Sequence, residues 1–270
     1  MEYVCGIPKN ICVGTYWASG LNVGSFILMK SLKLFLSDPL GQGKNIMNQK
    51  SNFDVYLNST FFINSDSPQI QEYSRDICSG IRSQRERAMA LYYRVRDDIW
   101  YDPYHFEDNQ DFMRASAVLK RKAGYCVAKA VLLAAVARAQ SIPARLGFAD
   151  VRNHLVTKQL KAMMETDLFV YHGYVELYLD DKWIKATPAF NGSLCRKFNV
   201  KPLEFDGIHD SIFHEFDTLG HRHMEYVNDR GIHADLPFDK IHEAFKKYYP
   251  KIFEMNLPQE PDAFTREASV

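Results

Sequence analysis

A cysteine and a histidine carry the clearest chemistry in this sequence. Cys126 opens the run CVAKAVLLAAVARA (126–139), in which only Lys129 and Arg138 are charged. A helix without a polar face is buried on every side. At the head of such a helix the positive end of the backbone dipole stabilises a thiolate. The unpaired N–H groups there can also bond an oxyanion that forms beside the sulfur. Position alone is equally consistent with cysteine as a small, well-buried hydrophobe, and a suitably placed histidine decides between the two. His172 lies in FVYHGYVELYL (169–179). Strand alternation puts His172, Tyr174, Glu176 and Tyr178 on one face, and Tyr171, Val175, Leu177 and Leu179 on a core face. A strand gives an imidazole a fixed direction, which suits a base that must meet a sulfur.

The elements that would position this pair can be read on either side of it. Ser67-Pro68 is an N-cap followed by an N1 proline, opening a helix with Ile70, Tyr73 and Ile77 on one side. Ser83-Gln84-Arg85-Glu86 fits a capping box, and the helix it starts has the stripe Ala88, Leu91, Tyr92, Val95 and Ile99. A short helix over 116–122 is expected to stop at Gly124 in a left-handed conformation. Ser141-Ile142-Pro143 ends the Cys126 helix, and strands follow at 144–151, 170–179 and 182–187. Asp180-Asp181 makes a two-residue hairpin between the last two. Residues 239–249 form another helix with Asp239 as cap and Ile241, Phe245 and Tyr248 facing inward. Helices, a central buried helix and then antiparallel strands make an α+β fold.

Length and composition allow one sizeable domain. The chain has 270 residues, 46% hydrophobic and 24% charged, with 33 basic and 33 acidic side chains. That balance gives no reason to expect nucleic acid as a partner. The five cysteines are dispersed and form no CxxC pair, which fits reduced thiols in a cytoplasmic protein. Residues 1–46 are expected to be a poorly ordered extension, with Met47 the natural beginning. Their apolar stretch, 26–36, is interrupted by Lys30 and Lys33, unlike a signal peptide or a membrane helix; an uncleaved membrane anchor is the competing reading. The domain would span 47–256, followed by a disordered tail over 257–270.

The segment RKAGYCVAKAVLLAAVARAQSIPARLGF (121–148) resembles the transglutaminase-like superfamily, a papain-related fold. The shared pattern is Gly-x-Cys, a buried Ala/Leu-rich helix, then Ser-Ile-Pro-Ala-Arg leading into a strand. HGYVELYLDDKWIKATPAFN (172–191) resembles the family's histidine strand, turn and following strand, and Ile99-Trp100-Tyr101 its lead-in. The resemblance covers roughly residues 68–190; both blocks in the right order are specific where either alone would not be. It implies that Cys126 is a nucleophile and His172 its base. It also implies acyl transfer from a peptide or protein amide without a cofactor, with the cysteine-headed helix packed on the antiparallel sheet that carries the histidine.

The third member of the site departs from the family. Pairing Leu179 with Lys182 sets Tyr178 opposite Trp183, Glu176 opposite Lys185 and Tyr174 opposite Thr187, so position 187 lies diagonally beside His172. The family usually has aspartate there, which orients the imidazole. Thr187 can accept a hydrogen bond but carries no charge, and Asn191 could swing back instead; both remain candidates, as does loss of activity. His209, His214, His221 and His223 match no common zinc spacing and are read as part of a polar loop region lining the cleft, with the segment around Met224–Val227 as a substrate wall.

Overall fold

In the computed structural model the described residues are 53–154, 156–212, 218–220, 223–254 and 263–267, within the compact unit Gln42–Val270. The expected extension over 1–46 lies outside them, as do His214 and His221 of the histidine-rich stretch.

The helical half comes first. Pro68–Cys78 (α1) starts behind Ser67, whose hydroxyl turns to Gln69 instead of capping the helix. Gln84–Asp98 (α2) has one arm of the expected box, Ser83 accepting from the Glu86 N–H, and buries Ala88, Leu91, Tyr92 and Val95. Trp100–Tyr101 (β1) pairs in parallel with Ala123–Gly124 (β2). Between them lies Ala115–Arg121 (α3), which ends earlier than the glycine suggested. Lys122, with φ +60°, takes the left-handed position. Gly124 serves close packing instead. A Cβ there would stand 2.8 Å from that of Ala128, so the absence of a side chain lets β2 lie against the next helix.

That helix, Cys126–Ala139 (α4), is buried from Cys126 to Arg138 and packs between α1–α3 and the sheet. Its two charges are absorbed by backbone carbonyls. Lys129 Nζ donates to the oxygens of Arg96 (2.8 Å) and Ile99 (2.5 Å), at the C-terminal end of α2. Arg138 joins the carbonyls of Asn58, Ala144 and Ala234. Free carbonyls at helix ends need donors, and a fully buried amine needs acceptors.

Ala144–Asn153 (β3), Leu168–Leu179 (β4), Lys182–Ala186 (β5) and Met224–His233 (β6) make an antiparallel sheet in the order β5-β4-β3-β6. The hairpin register is the expected one, Leu179↔Lys182 through Glu176↔Lys185, with Asp180 and Asp181 at φ +46° and +63°. β6 is a sheet strand where the sequence suggested only bends flanking a substrate wall. Its bulges and Gly231 at φ +83° break the alternation that would have revealed it. Lys158–Met164 (α5), capped by Thr157, and Gly192–Lys197 (α6) fill the connections.

Phe238–Tyr248 (α7) has Pro237 at its N-cap, with Asp239 inside the first turn rather than capping it. A 3-10 turn follows at Pro250–Phe253. Within the expected disordered tail, Ala263–Glu267 (α8) is helical. Phe264 packs on Tyr101 and Tyr104, and Tyr104 donates to the Glu267 carboxylate. One buried aromatic is enough to dock so short a segment, and no periodicity announces it.

Candidate active site

Cys126 heads α4 and is 7% exposed; His172, on β4, is 6% exposed. Both line one cavity of about 50 Å³. Three backbone N–H groups, those of Gly173, Val127 and Cys126 itself, lie near the sulfur and favour its thiolate form. Two of them are the free donors of the helix end, as the sequence suggested.

The third depends on how the hairpin finishes. N–H groups on a strand alternate between its two edges. Those of Leu179, Leu177 and Val175 face β5, so that of Gly173 does too. The β5 ladder stops at Val175↔Ala186. Beyond it the chain turns to Ser211, which accepts from the Thr187 N–H at 2.8 Å. The Gly173 donor is thereby left for the thiol.

The N–H donors do not make the thiol acidic. Burial pushes Cys126 up to about 11, against the pull of those donors. The expected stabilised thiolate is thus not the resting form, because desolvation of a closed site outweighs a helix end. Cys195, also buried, stands at about 12, and Cys78 is raised by burial as well.

His172 sits beside a kink in its own strand. β3 and β4 pair regularly as far as Ala149↔His172, then resume one residue out of step at Val151↔Phe169. Val170 and Tyr171 together oppose Asp150, a bulge of the kind that re-aims neighbouring side chains. Tyr171 has φ +55°, a conformation costly for a side-chain-bearing residue. Asp150 holds it there: Oδ1 accepts the Tyr171 N–H at 3.0 Å. Arg230 on β6 donates through Nε to both carboxylate oxygens at 2.9 Å, and its guanidinium lies 5.0 Å from the Tyr171 ring centre. On the other side, the Tyr249 hydroxyl accepts the Val170 N–H (2.6 Å) and donates to the Leu168 carbonyl (2.8 Å).

Residues 71–188 match the model of the transglutaminase-like superfamily. The chain carries a transglutaminase-like domain. No curated protein matches it. Among solved structures it is similar to a candidate cysteine protease from Cytophaga hutchinsonii, with 17% identity and a TM-score of 0.42 over 70% of this chain and 56% of that one. A candidate protease from Parabacteroides distasonis gives 14% and 0.33 over 53% and 26%. The periplasmic domain of TgpA from Pseudomonas aeruginosa gives 19% and 0.32 over 45% and 42%. The chain spans about half the length of the first of these and less of the others.

Neither expected third member of this transglutaminase-like site is seen to orient the histidine. Asn191 does not turn toward the imidazole. Its Oδ1 accepts the Tyr101 N–H at 2.7 Å, and its Nδ2 donates to the carbonyls of Arg96 and Ile99 at 2.6 and 2.8 Å. With Lys129 it closes the end of α2. Thr187 lies just past β5 and is 2% exposed, and its Oγ1 has no hydrogen-bond partner among the described residues.

Sequence reasoning missed Asp150, Arg230, Tyr249 and the donor role of Gly173. A hint existed for the last, since glycine inside a strand marks a bulge or a close backbone approach. Nothing local in sequence points to the other three.

Proposed function

We propose that this transglutaminase-like domain is a cysteine-dependent acyl-transfer enzyme acting on an amide or peptide bond. The observation that carries the reading is that Cys126, at the head of α4, and His172 line the same cavity. His172 takes the thiol proton as the sulfur attacks the carbonyl carbon. The N–H groups at the start of α4 lie beside the sulfur, placed to bond the oxyanion. Collapse of the tetrahedral adduct breaks the C–N bond, and the amine leaves with the proton from His172. Water then cleaves the thioester with the same base, giving a carboxylic acid and the free thiol. Hydrolysis is favoured over crosslinking, which needs a second site for an amine. A neutral resting thiol fits a mechanism in which the base acts during attack rather than in a preformed ion pair.

A binding module that keeps the fold without the reaction is the second reading, favoured by the uncharged Thr187 and the raised thiol. Labelling with a thiol electrophile, with the modified residue mapped by mass spectrometry, separates them. Selective modification of Cys126 that is lost in His172→Ala supports the enzyme. Labelling indifferent to His172 supports the binding module.

A further inference from the structure

We infer that the cavity beside Cys126 binds a small aliphatic side chain on the acyl side of the scissile amide, selecting leucine-like residues over glutamine and phenylalanine. The inference rests on the acyl-transfer reading above and names its substrate class. Beyond the reacting pair the walls are almost wholly carbon, including Leu160 and Met163 from α5, Phe169 at the bulge, Phe245 from α7 and Ile252 from the 3-10 turn. Two of the lining hydroxyls are already engaged, Tyr249 with the β4 backbone and Tyr125 with the Met113 sulfur. A carboxamide entering here would find few polar partners in exchange for water, whereas an aliphatic group would lose only its contact with solvent.

Size narrows the class further. The cavity is small, about 50 Å³, against the roughly 150 Å³ of an apolar cavity that takes benzene. That size favours a short aliphatic side chain over a benzyl group. Flexible methionine in the wall tolerates differences of branching. Phe245, Tyr249 and Ile252 lie beyond the residues 71–188 that match the superfamily, so the pocket is completed by this chain's own C-terminal elements.

Peptidyl vinyl sulfones that differ only in the residue next to the electrophile test the assignment, with Cys126 modification followed by mass. The leucine reagent should label at least about tenfold faster than its glutamine, alanine or phenylalanine counterparts, the scale of burying one such side chain. Ile252→Ala should shift the ratio toward phenylalanine severalfold. Equal rates, or a preference for glutamine, overturn the pocket and leave the enzyme reading standing. If no reagent labels Cys126, iodoacetamide included, the enzyme reading fails. The pocket is then decided in Cys126→Ala by thermal shift with N-acetyl-leucinamide against N-acetyl-glutaminamide: stabilisation by the first alone supports it, and parity overturns it.

Discussion

Gly173 approaches the head of α4 so closely that a Cβ on it would stand 2.9 Å from the Val127 Cα and 3.3 Å from the Val127 nitrogen. Both neighbours are backbone, so neither can swing aside. Gly173→Ala should therefore push β4 away from α4 and carry its N–H away from the Cys126 sulfur. The expected cost is about 1–3 kcal/mol in denaturant unfolding, as for overpacking elsewhere, with slower alkylation of Cys126 in the molecules that remain folded. Unchanged stability would mean that the two elements are not in contact.

Alkylation of Cys126 by iodoacetamide should climb with pH toward about 11, without a plateau on the acid side. The stability linkage has a definite sign. A thiol whose value is raised by folding favours the fold below the ordinary 9.0, and that contribution fades as pH rises through about 11. The melting-temperature difference between the wild type and Cys126→Ala should accordingly be flat through neutral pH and change only in that alkaline window. Half-maximal alkylation near pH 6 would reveal a preformed thiolate–imidazolium pair.

Asn191 and Thr187 should separate cleanly. Asn191→Ala leaves the Tyr101 N–H without its acceptor and removes a donor from the end of α2, at a cost of about 1–3 kcal/mol. The pH profile of Cys126 in the folded fraction should not move. Thr187→Val removes a buried hydroxyl that has no described partner and should be neutral or slightly stabilising. If position 187 lies beside His172 as the sequence register implies, Thr187→Asp should by contrast extend thiol reactivity to lower pH. An identical profile in a folded Thr187→Asp protein would show that position 187 is not next to the imidazole.

Asp150 should act on reactivity without touching the reacting atoms. Asp150→Asn keeps an acceptor for the Tyr171 N–H, whereas Asp150→Ala removes it and leaves Arg230 without its carboxylate. Cys126 labelling by a peptidyl electrophile should fall about tenfold or more in the alanine variant and recover in large part in the asparagine one. Equal loss in both would assign the effect to the charge of the ion pair rather than to the bulge.

What could be read in advance divides along a physical line. The α2 stripe, the all-apolar α4 and the Leu179↔Lys182 register depend on periods and turns local in sequence. The Cys126–His172 pairing needed two blocks in order, and local patterning placed each on the right element. Asp150, Arg230 and Tyr249 act on β4 from other elements, and no window of sequence contains such a contact. The thiol's raised value was missed for a related reason: helix position is local, but desolvation is set by everything that closes over the site.

The hydroxyl of Tyr249 bridges the Leu168 carbonyl and the Val170 N–H, and so splints the bulge from a segment that begins about fifty residues after the matched core. A chain clipped between β6 and α7 would retain Cys126 and His172, the proposed nucleophile and base. It would lose the far wall of the cavity together with the splint that holds the histidine strand in shape. The cavity and its splint are therefore complete only once translation has passed residue 249.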